Sequence, residues 1–484
     1  MPHRTYPTVA RLARSIRERE TTSEALLEHY LDRVAAFNPA LNAIVTLDVD
    51  GARAQARAAD AALAKGRTLG PLHGVPMSVK DTFETAGVRT TAGAPPLAEH
   101  VPKTDAVAIE RLRQAGAVIF GKTNTPTMAM DLQSYNPIFG TTNNPWDLAR
   151  SPGGSSGGSA AALAADLTPL ELGSDIGGSI RTPAHFCGVF GHKPSFGLIP
   201  ARGHIPGPPG SLQSADIAVL GPLARDADDL MLALDVLAGP DSGEARAWRL
   251  ELPKARGQRL SDFRIAAWLD DPVSPVDASV AAVHHAAIER LRAAGAAIDV
   301  TARPGFTFAE ARDVYLKLLY GATAPGLPLA QFQRLIEDAP HRTDDGSGYA
   351  IYAEGSIQRH RDWLITHERR ERLRRAWSLF FERYDVLLCP VTQTAAILHD
   401  QSEPISDRRI EVNGRATPYF EQLFWVGIVG AAYLPSTSAP AGQTVSGLPV
   451  GMQIVGPYLE DRTTIAFAKA VQDTLGGFVA PRGY

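Results

Sequence analysis

The sequence predicts an α/β fold built as one large domain over residues 1–484, and three observations carry that expectation. One unit occurs twice: Glu110-Arg111-Leu112-Arg113-Gln114-Ala115-Gly116-Ala117 and Glu289-Arg290-Leu291-Arg292-Ala293-Ala294-Gly295-Ala296 both run from a helical pattern through glycine towards an apolar run. Glycine there suits a helix C-terminus and the apolar run suits a buried strand, so both copies read as crossover helices feeding a sheet. No stretch has the composition of an interdomain linker. Charged residues make up 21% and hydrophobic residues 44% of the chain, the proportions of a folded protein with a sizeable core.

The elements follow in order. Thr21-Thr22-Ser23-Glu24 is a capping-box arrangement that opens a helix running to Phe37. An Ala-rich helix is expected over 52–65, a second over 105–115, and a short strand over 117–120. Residues 151–191 are dense in Gly and Ser, as a flexible linker would be. Apolar runs at 160–165, 170–172 and 186–190 interrupt them and point instead to a core segment with close backbone approach. A Gly/Pro loop covers 203–210. Helices over 276–294, 308–320 and 357–381, strands over 385–389 and 448–455, and a helix over 461–474 complete the pattern.

Charge and cysteine content narrow the function. The formal net charge is −4 and the basic residues are dispersed, so neither a nucleic-acid footprint nor a polybasic membrane patch is visible. The densest basic stretch, Arg369, Arg370, Arg372, Arg374 and Arg375, is interrupted by Glu368, Glu371 and Leu373 and reads as a solvated helix face. Two distant cysteines, Cys187 and Cys389, make no disulfide framework and fit a reducing compartment. Residues 1–16 lack the apolar core of a signal peptide, and the nearly apolar run 424–434 is too short to span a bilayer. The expectation is a cytoplasmic protein.

Two literal motif matches mislead. Gly116-Ala117-Val118-Ile119-Phe120-Gly121-Lys122-Thr123 satisfies the P-loop pattern, and residues 265–270 could pass as its acidic partner strand. A P-loop needs a strand before its first glycine and a loop after it, whereas here a helix precedes and a strand follows. Gly153-Gly154-Ser155-Ser156-Gly157 fits a nucleophile elbow, but the loop-like Asn143-Asn144-Pro145-Trp146-Asp147 and Pro152 stand where its strand should run.

Three further segments are informative together. Gly74-Val75-Pro76-Met77-Ser78-Val79-Lys80-Asp81 places a lysine in an apolar strand; taken alone it is a strand-end lysine. Gly153-Gly154-Ser155-Ser156-Gly157-Gly158-Ser159 reads as a helix entry. Gly173-Ser174-Asp175-Ile176-Gly177-Gly178-Ser179-Ile180-Arg181 is a glycine turn whose successive amides can form an anion-binding nest, the backbone an oxyanion hole requires.

These segments, in this order, resemble the amidase signature family. So do Gly121-Lys122-Thr123-Asn124-Thr125-Pro126, Phe139-Gly140-Thr141-Thr142-Asn143-Asn144-Pro145-Trp146, Cys187-Gly188-Val189-Phe190-Gly191-His192-Lys193-Pro194, Ala439-Pro440-Ala441-Gly442 and Gly447-Leu448-Pro449-Val450-Gly451-Met452-Gln453. The resemblance implies a central mixed β-sheet flanked by helices, with a catalytic signature core over 71–200. It implies Ser179 as nucleophile, Ser155 as a proton relay held through a cis peptide bond, and Lys80 as base. The backbone N–H groups of Ile176, Gly177, Gly178 and Ser179 would form the oxyanion hole. Met128, Met130, Gln133, Tyr135 and Trp425 lie in segments that line the acyl pocket in the family. For Met128, Met130, Leu132, Tyr135, Ile138, Phe139, Phe424 and Trp425, core packing is the competing reading. Asp131 and Gln133 either orient an amide or face solvent.

No metal or cofactor is expected, because the chemistry needs none. Serine requires a base in hydrogen-bond reach, and lysine serves only when neutral, which calls for burial. Retuning a lysine from about 10.4 to about 7–8 costs roughly 4 kcal/mol, which points to function. The expected substrate is a small amide, linear rather than cyclic, with no nucleic-acid or membrane partner; a homodimer is compatible. The segment Ser195-Phe196-Gly197-Leu198-Ile199-Pro200 and the 203–210 loop depart from the pattern of amidotransferase subunits that feed ammonia to mis-acylated tRNA. A stand-alone amidase therefore ranks above an amidotransferase component of that kind, and a P-loop nucleotide-binding protein ranks last.

Overall fold

A computed structural model describes residues 6–339 and 349–484. Eleven strands form its two principal sheets: β1 (Ile44–Leu47), β2 (Pro76–Lys80), β3 (Val118–Thr123), β4 (Leu170–Asp175), β5 (Phe190–Lys193), β6 (Val219–Ala224), β7 (Ile265–Ala267), β8 (Ile298–Asp299), β9 (Val386–Pro390), β10 (Ser436–Gln443) and β11 (Pro449–Val455). The large sheet has the order β8-β7-β9-β11-β10-β5-β6-β4. Its β8-β7-β9 end is parallel and the remaining pairs are antiparallel, a mixed sheet as expected. The small sheet has the order β1-β3-β2. Strand β2 lies beside the edge strand β4, although no backbone ladder joins them among the described residues.

Local chemistry sets the element ends. Thr22 caps the first long helix by accepting from the Ala25 N–H, and the helix runs through Ser23–Leu41. It passes the expected end at Phe37 and includes Pro39, then stops at left-handed Asn42, whose N–H reaches Asn38 O. The Ala-rich helix spans Val49–Ala64 and starts before residue 52 because Asp48 caps it through the Gly51 N–H. Thr307 and Glu310 form a reciprocal capping box on Phe308–Thr323.

Residues 151–191 are core, as the interrupting apolar runs indicate. They contain the short helices Gly157–Ala164 and Arg181–Cys187, which pack on each other and are buried throughout. Two expectations need correction. Strand β3 runs to Thr123, past the expected end at residue 120. Arg370 is not on a solvated face: it turns inward, pairs with Asp216 at 2.7 Å and lies over the Tyr433 ring at 4.5 Å. Cys187 and Cys389 are both free and buried. No helix among the described residues is long and apolar enough to cross a membrane.

Candidate active site

The site gathers at the C-terminal ends of β2 and β4. Lys80 is the last residue of β2, a strand buried at every position. Its Nζ lies 2.6 Å from Ser155 Oγ and 3.0 Å from Ser174 Oγ. Burial brings its pKa down to about 7, against the opposing pull of Asp175. The partner of the elbow-like Ser155 is thus a lysine.

Ser155 sits in the turn before the helix Gly157–Ala164, and the Gly154–Ser155 peptide bond is cis. Glycine is required at 154 by crowding: a Cβ there would stand 2.6 Å from Gln133 N and 2.7 Å from Asp131 O. Ser134 brackets the turn, its hydroxyl donating to Gly153 O and accepting from the Gly157 N–H, both at 3.0 Å.

The glycine turn after β4 is organised by Asp175. Its carboxylate accepts from the Gly178 N–H at 2.9 Å and the Ile180 N–H at 3.1 Å. Arg181 forks onto it with Nη2 at 2.8 Å and Nε at 3.0 Å, and both side chains are fully buried. Burial alone would raise this carboxyl; the Arg181 charge and hydrogen bonds outweigh that and hold it at about 2. Gly178 has φ +91°, which favours glycine. The Ser156 N–H donates to Ser179 O at 3.1 Å, fastening the Ser155 turn to the Ser179 turn. The Ser179 hydroxyl has no hydrogen-bond partner among the described residues.

One expected oxyanion donor is corrected. The Gly178 N–H is directed to Asp175, because the carboxylate that shapes the turn needs that amide. Ile176, Gly177 and Ser179 keep uncommitted amides among the described residues.

The predicted pocket residues separate. Met128 is half-buried with φ +53°, and Met130 is 44% exposed. Gln133 is engaged with a neighbouring loop: its Nε2 donates to Asp400 O at 2.5 Å and its Oε1 accepts from the Asp400 N–H at 3.0 Å. The Tyr135 hydroxyl accepts from Arg408 at 2.7 Å. Asp131 does not face solvent; it is buried against Arg408 at 2.7 Å and the Tyr419 hydroxyl at 2.7 Å. Trp425 is core: it is fully buried, donates from Nε1 to Ser274 O at 3.0 Å, and packs edge-on against Phe308 and Trp268.

Residues that sequence reasoning missed crowd the turn itself. A Cβ at Gly177 would stand 2.9 Å from Leu423 Cδ2 and 3.1 Å from the Tyr315 hydroxyl, and one at Gly178 would stand 3.0 Å from Val426 Cγ2. The Tyr315 hydroxyl donates to Ile176 O at 3.4 Å. No local motif marks Tyr315, Leu423 or Val426, since only tertiary packing brings them to the turn. The P-loop lookalike is strand β3, with Lys122 bound to Phe83 O, to Thr90 Oγ1 at 2.9 Å and to Thr85 Oγ1 at 3.1 Å.

Fold and site define a class: an α/β scaffold that holds a buried lysine–serine pair beside a glycine turn. The family follows from comparison with known proteins. The family model described as Amidase matches residues 25–465, and the chain belongs to this family, the amidase signature family. One chain of the glutamyl-tRNA(Gln) amidotransferase of Moorella thermoacetica is 33% identical, covering 97% of this chain and 96% of that one. Among solved structures, a chain from a vestigial protein complex that reveals the origins of an s-triazine catabolic enzyme is 29% identical, with TM-score 0.81 over 98% of this chain and 100% of that one. A 6-aminohexanoate cyclic dimer hydrolase complexed with substrate is 26% identical, with TM-score 0.78 over 98% of each chain.

Proposed function

We propose that the chain cleaves the C–N bond of carboxylic amides through an acyl-enzyme on Ser179, with Ser155 as proton relay and Lys80 as base. The observation that carries this reading is the 2.6 Å contact between Lys80 Nζ and Ser155 Oγ in a site without water-facing charge. Neutral Lys80 takes the Ser155 proton while Ser155 takes that of Ser179, and Ser179 Oγ adds to the substrate carbonyl. The Ile176, Gly177 and Ser179 amides face the oxyanion. Collapse expels the amine, which leaves with a proton returned from Lys80 through Ser155. Water then hydrolyses the ester by the same relay, a Ser-Lys variant of triad logic.

In a second reading the same half-reaction releases ammonia inside a tRNA-dependent amidotransferase. The 33% identity over 97% of the chain to the Moorella amidotransferase chain favours it, and outweighs the local departures at 195–200 and 203–210. The name of the cyclic dimer hydrolase likewise gives no preference to linear amides. Purified chain alone, assayed on aliphatic, aryl and peptide amides and on glutamine, separates the two. Unaided turnover of simple amides supports the stand-alone enzyme. Glutamine cleavage that requires candidate partner chains, with co-elution on gel filtration, supports the amidotransferase role. Absence of both overturns the reading.

A further inference from the structure

The seam between β2 and β4 holds the site, and side chains rather than a ladder close it. The Ser78 N–H donates to Thr168 Oγ1 at 3.1 Å, and the Ser78 hydroxyl donates to Glu171 Oε1. Glu171 Oε2 accepts from Thr123 Oγ1 at 3.2 Å, and Thr123 Oγ1 lies 2.9 Å from Ser159 Oγ. Glu171 is 1% exposed and bonded to hydroxyls; the cation whose field it meets is Lys122, beside Thr123 on β3.

The positions of these hydroxyls matter. Ser78 precedes Lys80 by two residues and shares its face of β2. Ser159 follows Ser155 by four, in the first turn of the helix Gly157–Ala164. Glu171 precedes Asp175 by four on β4, so it shares the face of the residue that organises the glycine turn. We propose that Glu171 is a positioning residue: one carboxyl clamps β2, β3 and the helix after Ser155 onto β4, and so sets the contact between Lys80 and Ser155. Burial raises this carboxyl to about 7, against the hydroxyl bonds.

The proposal rests on Ser179 as nucleophile and is tested with a fluorophosphonate serine probe, which needs no known substrate. Wild type is expected to label and Ser179→Ala not. Glu171→Leu is expected to lower the maximal inactivation rate at least 30-fold with the half-saturating probe concentration within twofold; Glu171→Gln, which keeps hydrogen-bonding capacity, recovers to within tenfold of wild type. Rates are referred to folded protein measured by circular dichroism. If Glu171→Leu does not fold, Ser78→Ala and Ser159→Ala replace it, each expected to lose about five- to tenfold in the maximal rate. A labelled wild type with Glu171→Leu, or both alanine variants, at wild-type rates overturns the clamp alone. An unlabelled wild type overturns the nucleophile reading and the clamp together.

Discussion

Lys80 and Lys122 sit on adjacent parallel strands one register step apart, Val79 pairing with Lys122 and Lys80 with Thr123. Both are fully buried, and burial lowers both, to about 7 for Lys80 and about 8 for Lys122. Their partners differ. Lys122 meets a carbonyl that can only accept, plus two threonines, with Asp81 and Glu171 favouring its charge. Lys80 meets two serine hydroxyls, which can donate to a neutral amine, and one carboxylate that Arg181 already neutralises. Burial retunes a lysine; the proton inventory around it decides whether that lysine can act as a base.

The largest expected effect lies at the nucleophile. Ser179→Ala should reduce amide hydrolysis and probe labelling by at least about 10⁴-fold with an unchanged circular dichroism spectrum. Labelling that persisted would place the nucleophile elsewhere. Next come the two lysines. Lys80→Met should lose about 10³-fold or more in rate and keep its fold, whereas Lys122→Met should lose about 2–4 kcal/mol of stability, read by urea titration, while its folded fraction stays active. A stable but inactive Lys122→Met would break the contrast.

The pH dependence sharpens it. Acylation needs neutral Lys80, so the rate should rise tenfold per pH unit below about 7 and level off above about 8. Stability has the following sign: the native pKa lies below the unfolded value, so between about 7 and 10.5 the unfolded chain binds the extra proton and the Lys80 contribution grows with pH. Lys80→Met should therefore stabilise the fold most at pH 6, by on the order of 2–4 kcal/mol, and least near pH 10. A benefit independent of pH would remove Lys80 as its source. The smallest effect is expected at Trp425→Phe, about 1 kcal/mol from the lost bond to Ser274 O with KM unchanged; a large KM change would return Trp425 to the pocket.

The sequence carried the local parts of this site. Glycine spacing marks the turn at 176–179, and a short, mostly apolar segment beside Gly74 and Pro76 marks β2, because both are encoded within a few residues. Lys80 read alone was unremarkable, since its burial is produced by strands and helices far along the chain. Of the pocket residues, Trp425 went to the core and Gln133 to the Asp400 loop, because an aromatic or amide side chain serves packing and binding equally well in sequence. The engagement of Gly178 by Asp175 was legible in neither spacing nor family likeness; it depends on which way one carboxylate swings once Arg181 has gripped it.

The laddered strands of the large sheet owe their spacing to main-chain bonds, which side chains other than proline leave in place. The β2–β4 boundary owes its spacing to Ser78, Thr168 and Glu171, each replaceable by a single codon change. Heritable variation can therefore adjust the separation between base and relay without disturbing the remainder of the architecture, which makes this boundary the natural place for rate to diverge between descendants of one scaffold.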